Sequence, residues 1–305
     1  MNGKGVVCAL AAALCFGIMP VLTKLIYNGT KVDPFFFLMI RYGVAAFALW
    51  IFMGLRRDGR WREVNHSDLL IMGGTAVSYL IVTATYFIAL QYIDASLTSL
   101  LCFTFPVFTP FLGRLLFGQR LQWYQVVAAG IGFAGCALLI GNYRFQGVSG
   151  EALGIGLGLL SGVLYSMYTL IGQKVIVRIE PLIATTYNVS FIALFFMILR
   201  FHWIWQQPQS WIVYGVAALI GIVSTIFANV FYFEAIRTVG AVKAGIFSSA
   251  EPFFTAVLAI SFLGESLGPW QWCGALLIGS GMIAIQQPWA VRPRGAEPGA
   301  KQLEP

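Results

Sequence analysis

Residues 95–118 read ASLTSLLCFTFPVFTPFLGRLLFG, and residues 241–264 read AVKAGIFSSAEPFFTAVLAISFLG. Set one above the other at a shift of 146, they pair Ala95 with Ala241, Pro106 with Pro252, Thr109 with Thr255, Leu112 with Leu258 and Gly118 with Gly264. The register runs without a gap from Tyr86 to Ile140: Tyr86 meets Tyr232, Phe87 meets Phe233, Ala89 meets Ala235, Leu121 meets Leu267, Gln125 meets Gln271, Ala129 meets Ala275 and Gly135 meets Gly281. One shift held over so long a stretch marks an internal repeat. Composition then decides what the repeated apolar segments are.

The 305 residues are 59% hydrophobic and 10% charged, against roughly 25% charged in a soluble globular chain. Crossing the hydrocarbon core takes about 20 mainly apolar residues, and only a helix satisfies its own backbone there. Spans of that kind are expected at 3–26, 34–55, 68–91, 95–117, 123–141, 151–175, 182–201, 211–236, 241–263 and 270–287. The first is read as a retained helix rather than a secretory leader, because its apolar run continues past Gly17 toward Lys24 with no polar, small-residue cleavage site. The expected fold is therefore an all-α integral membrane protein with ten transmembrane helices.

Five spans fall in each copy, and an odd number makes the second copy enter the membrane from the opposite side. The arrangement is two inverted five-helix repeats, a pattern of many secondary transporters. We place them at 1–146 and 147–288, followed by a disordered cytoplasmic tail at 289–305. Of the 19 basic residues, 14 fall on the side of the N-terminus, among them Lys4, Arg56, Arg57, Arg60, Arg62, Arg114, Arg120, Lys174, Arg178, Arg237 and Lys243. Only Lys24, Lys31, Arg144 and Arg200 fall on the other side. By the positive-inside rule both termini are expected in the cytoplasm of a cell whose inner membrane holds the protein. The five cysteines all lie within spans, where they act as small apolar residues.

Ala95-Ser96-Leu97-Thr98-Ser99-Leu100-Leu101 leading to Pro106-Val107-Phe108, then Phe117-Gly118-Gln119-Arg120, with Glu251-Pro252-Phe253-Phe254 and Leu263-Gly264-Glu265 in the second copy, resemble the EamA family of the drug/metabolite transporter superfamily. The resemblance covers nearly the whole chain to about Gln287. It implies export of amino acids or similar metabolites, through a cavity formed mainly by the third, fourth, eighth and ninth spans with the first and sixth. Gln119 stands where the first copy in such proteins usually carries glutamate, and a helix end is expected to feel that difference.

Glu251 falls near the middle of the ninth span, where an acid costs at least ~2.5 kcal/mol on insertion scales. It is a candidate proton acceptor or partner for a substrate ammonium; the plainer alternative is a protonated carboxyl bonded to the helix that Pro252 interrupts. Ala244, Ser248, Glu251 and Thr255 recur at spacings that share a helix face. The matching stripe on the fourth span is Thr98, Cys102, Phe105 and Thr109. Tyr79, Thr83 and Tyr86 on the third span answer Thr225, Asn229 and Tyr232 on the eighth, and Ser161, Tyr165 and Tyr168 align on the sixth. Polar and aromatic stripes at one depth suggest a shared cavity, although any single Ser or Thr also serves to hydrogen-bond neighbouring helices. Arg41, in the second span, is a candidate holder of a substrate carboxylate or an arginine snorkelling to headgroups, with Asn188 as its approximate repeat mate. Glu234 and Lys243 read as an interfacial pair or separate solvated charges, and Asp94 and Glu265 as helix caps. His66 and His202 lie in opposite loop regions, away from any acidic cluster, so no metal site is expected.

These residues favour a secondary exporter of small neutral or zwitterionic metabolites, with a proton as candidate coupling ion. No cofactor and no nucleic acid is expected; the partners are a small-molecule substrate and membrane lipid, in a monomer or weak homo-oligomer. A sugar-phosphate or nucleotide-sugar carrier needs several cations inside the spans, and only Arg41 qualifies. An intramembrane enzyme needs paired acid-base groups at one depth, and a channel would conduct without saturating. No phosphate-binding Gly-Lys-Thr loop is present to couple ATP.

Overall fold

The computed structural model describes residues 3–56, 59, 61, 64–118, 121–141, 143, 150–176, 180–200 and 210–286. The expectations for Arg57, Arg60, Arg62, Gln119, Arg120, Arg144, Arg178, His202 and the tail at 289–305 lie outside these residues, as does the side chain of Lys174. Thirteen helices follow in order: α1 (Gly3–Gly29), α2 (Pro34–Arg56), α3 (His66–Tyr92), α4 (Ala95–Cys102), α5 (Phe105–Phe117), α6 (Trp123–Gly141), α7 (Glu151–Ile176), α8 (Pro181–Arg200), α9 (Trp211–Gly221), α10 (Ala228–Val239), α11 (Ala241–Ser248), α12 (Glu251–Leu263) and α13 (Pro269–Gln286). A π-helical turn, Ile222–Phe227, joins α9 to α10. Because α4 with α5, α9 with α10, and α11 with α12 each form one interrupted crossing, the thirteen make ten spans. Among the described residues nine are long and apolar enough to cross a bilayer. The tenth, α13, is 18 residues long and opens on Trp270, Gln271 and Trp272, which dilute its apolar character.

The repeat is visible in where helices break. α4 and α11 both stop after eight residues, α5 and α12 both run for 13, and each pair is displaced by 146. The cause is the proline after each gap: Pro106 and Pro252 have no N–H to offer the preceding turn. The gap closes instead with tight turns, in which Thr104 N donates to Leu101 O and Ala250 N to Phe247 O. Gly118 (φ 65°) and Gly264 (φ 69°) then end α5 and α12 in the left-handed conformation that spares glycine a Cβ clash. Pro20 and Pro110, by contrast, lie inside continuous helices.

Packing follows a pseudo-twofold axis. α1 lies on α10 as α7 lies on α3, α1 meets α12 as α7 meets α5, and α2 meets its own counterpart α8. At the axis α6 and α13 approach until backbone touches backbone. A Cβ on Gly135 would stand 2.6 Å from the Gly274 carbonyl oxygen, and one on Gly281 would stand 2.8 Å from that of Ala128. Gly135 and Gly281 are repeat mates, and so are Ala128 and Gly274, so one contact is made twice, as an isologous interface requires. The lipid-facing surface carries Phe47, Leu55, Leu115 and Phe262, each at least 70% exposed. Trp123, Trp211 and Trp270 stand exposed at helix starts, the interfacial position that suits an amphipathic ring.

Candidate functional site

The two helix breaks put polar groups at the middle of the bundle. α12 begins at Glu251, so the carboxyl sits at the N-terminal end of a half-helix, whose dipole offsets part of the cost of burying an acid. Its repeat mate, Phe105, begins α5 in the same way. Each break is seated on a glycine of the opposite repeat. A Cβ on Gly17 would meet Glu251 O at 3.1 Å, and one on Gly162 would meet Cys102 O and Leu101 O at 3.0 Å. That space admits no side chain, which fixes α1 and α7 against the breaks.

Three adjoining cavities surround these breaks, with volumes of about 370, 90 and 130 Å³. Phe16 and Tyr165 line all three. Phe105, Tyr232, Ser248 and Glu251 line the large one; Tyr86, Thr83 and Cys102, with Glu251 again, line the smallest. Asn229 and Tyr168 border the large and third cavities, whereas Arg41 and Tyr79 border the smallest and the third. The walls are largely aromatic: Tyr165 stacks on Tyr168 with centroids 5.7 Å apart, and Phe105 meets Tyr165 edge-on at 4.5 Å. Tyr79 packs on Tyr168 at 4.7 Å.

Thr255, singled out from the sequence, lies off these walls. It is fully buried, donates to Gly17 O at 3.2 Å and stands 3.5 Å from Ser99 Oγ, so it ties α12 to α1 and α4. Ala244, Thr98 and Ser161 are likewise packed away. Helical spacing put Thr255 on one face with Ser248, but the non-helical gap at Ser249 and Ala250 resets the phase between α11 and α12. Arg41 does not snorkel: it is 3% exposed, with its guanidinium carbon 4.8 Å from the Tyr42 ring and 5.4 Å from the Phe87 ring. Glu234 pairs with Arg237 at 2.9 Å and Lys4 at 3.4 Å, while Lys243 is exposed. Sequence reasoning missed Phe16, Phe103, Thr75 and Thr185, and took Asn188 only as a repeat mate. Asn188 and Thr185 bring in α8, a wall the resemblance had not supplied.

The large cavity extends from Glu251 toward the face that carries the N-terminus, through Met72 near the start of α3, Ala184 near the start of α8 and Gly245 in α11. The opposite end is latched. Glu265, in the turn after α12, accepts from Ala95 N at 2.6 Å and Ser96 N at 3.0 Å, and also from Ser96 Oγ, capping α4 of the other repeat. Lys24 Nζ donates to Leu90 O and Ile93 O, both at 2.9 Å, and so caps the end of α3. Asp94 stands at the N-cap position of α4 but makes no cap bond with its side chain, so of the two expected caps only Glu265 performs that role. A polar cavity of about 810 Å³ lies outside this latch, lined by Lys24, Asp94 and Glu265.

Burial pushes the Asp94 carboxyl up to about 6, Glu265 and Glu151 push the same way, and Lys24 opposes them. An acid whose folded pKa is raised holds a proton that the unfolded chain has shed, so folded stability falls as pH rises from about 4 through about 6. Asp94→Asn is therefore expected to stabilise the protein at pH 7.5 and to have little effect at pH 4.5. The gain is at most about 1 kcal/mol for a partly exposed group. Thermal unfolding in detergent at the two pH values measures it, and an equal shift at both would contradict the assignment.

The family description "EamA-like transporter family" matches residues 3–141 and again residues 152–286, one match per repeat. The chain belongs to the EamA-like transporter family. Related EamA-like chains include an uncharacterized transporter of Synechocystis, 26% identical over 91% of this chain and 92% of its own length. The uncharacterized inner membrane transporter YicL of Salmonella typhimurium is 25% identical over 96% of this chain and 98% of its own. The uncharacterized transporter YwfM of Bacillus subtilis is 31% identical over about half of each, 54% and 55%. A solved crystal structure superposes with a TM-score of 0.61 at 17% identity, covering 93% of this chain and 96% of that one, a likeness of fold. This EamA-like chain is a multi-pass membrane transporter with two inverted repeats.

Proposed function

We propose that this transporter exports small neutral or zwitterionic metabolites such as amino acids, by alternating access around the midplane cavity. The supporting observation is the large cavity itself. Its volume of about 370 Å³ falls within the ~300–1,000 Å³ of small-molecule sites. Its walls are aromatic, and Glu251 is the one acid among its described lining residues. With both termini cytoplasmic, as the dispersed basic residues favour, the cavity faces inward and the Glu265 and Lys24 latch closes the outer side. Glu265 would then release Ala95 and Ser96, and Lys24 would release Leu90 and Ile93, as the site turns outward. A proton taken up by Glu251 is the candidate coupling step.

Counterflow in proteoliposomes tests the reading. Vesicles preloaded with unlabelled amino acid should accumulate the labelled form, with saturation in the micromolar to millimolar range for at least one member of a panel of amino acids and related amines. Flux of every panel member that rises linearly with concentration would indicate a channel and overturn the proposal. The latch makes a second prediction: Glu265→Gln should raise the labelling rate of a cysteine placed at Ser99, beneath the latch, from the outer side by about tenfold, roughly 1.4 kcal/mol of lost closure. An unchanged rate would remove the gating role.

A further inference from the structure

Arg41 presents a buried cation with no paired anion among the described residues. Its side chain is 3% exposed, yet it borders the two smaller cavities. Nε and Nη1 are buried with no hydrogen-bond partner. An unmatched guanidinium is costly inside a bilayer and persists where it meets an anion or lines a pathway. The Tyr42 and Phe87 rings flank the guanidinium carbon at 4.8 and 5.4 Å, which steadies its charge but leaves Nε and Nη1 unused. Glu251 lines the same 90 Å³ cavity as Arg41, so an acidic side chain borders the same space without pairing with the arginine.

Resting on the transporter reading above, we infer that Arg41 is a carboxylate subsite and that the cargo is a compact carboxylate, held with its acid group at Arg41 and any cationic end toward Glu251. The planar guanidinium fork matches a carboxylate's two oxygens. A cavity of about 90 Å³ accepts a carboxylate with its α-carbon, while a side chain extends past Tyr165 into the 370 Å³ cavity. Phosphate fits poorly, because no lysine and no second arginine is among the described residues lining the three cavities. The same two-ended arrangement selects zwitterions over amines, which would place their charge beside Arg41.

The test uses the full chain purified in detergent, with leucine, phenylalanine and threonine, the amide of each, the deaminated acid of each, and inorganic phosphate as probes. Binding is read by thermal shift, and exchange by counterflow in proteoliposomes. The expected result is at least tenfold tighter binding of acids than of matched amides by the wild type. Arg41→Gln should lose that preference and Arg41→Lys should keep part of it; if Arg41→Gln fails to fold, the acid-to-amide ratio in wild type and Arg41→Lys decides. Amides that bind and exchange as well as acids would overturn the subsite while leaving the transporter reading intact, and so would phosphate displacing leucine. Arg41-dependent binding of acids with no exchange of any probe would uphold the subsite and overturn the exporter. No binding by any probe would overturn both.

Discussion

Glu251→Gln should cut proton-driven accumulation of substrate by about 100-fold, roughly 2.7 kcal/mol of lost coupling, while exchange without a gradient falls much less. The asymmetry follows from position. Glu251 opens α12 at the midplane and borders both the 370 Å³ and the 90 Å³ cavity, so it is reachable by a proton and by cargo from the same side. Glutamine keeps the shape and a hydrogen-bonding side chain but can neither release a proton nor balance a substrate ammonium. If the carboxyl only bonded the helix that Pro252 interrupts, glutamine would replace it with little loss. Counterflow and pH-gradient-driven uptake on the same preparation separate the two roles. Wild-type rates from the variant at two different pH gradients would end the proton assignment.

A comparably large effect, on stability rather than flux, is expected at the pseudo-twofold axis. Gly135→Val should lower stability by about 1–3 kcal/mol, the range for overpacking a close contact, read as an earlier thermal transition in detergent. The Gly274 carbonyl lies 2.6 Å from where the first added carbon would go, and backbone cannot swing aside as a side chain can. Gly281→Val should act alike against Ala128. The double variant should lose less than both losses added, because the first substitution already forces α6 and α13 apart. Additive losses, or none, would mean that the two helices do not touch as described.

Much of this architecture was legible in the residues, for a physical reason: apolar runs of bilayer length admit one backbone solution. A shift of 146 carried the rest, since Pro106 and Pro252 impose the same break in both copies. The site was legible where polar or aromatic residues lay on one helix, as with Tyr79, Thr83 and Tyr86. It was illegible where contact depends on the other repeat. Phe16 lines all three midplane cavities, yet an aromatic ring in an apolar span is indistinguishable from a lipid-facing one until α1 is placed beside α12. Glu265 could be read as a cap, but not as the cap of a helix 170 residues away in sequence. Thr255 shares a stripe with Ser248 and still turns to Gly17, because the stripe crosses the gap at Ser249 and Ala250.

The glycine seats under the two broken helices have a consequence for assembly. Gly17 belongs to the first copy but shapes the break of the second, and Gly162 belongs to the second but shapes the break of the first. Each copy thus holds the mould for its sibling's bend, so a gene cut between the repeats should yield two inert fragments that regain activity only when made together in one membrane.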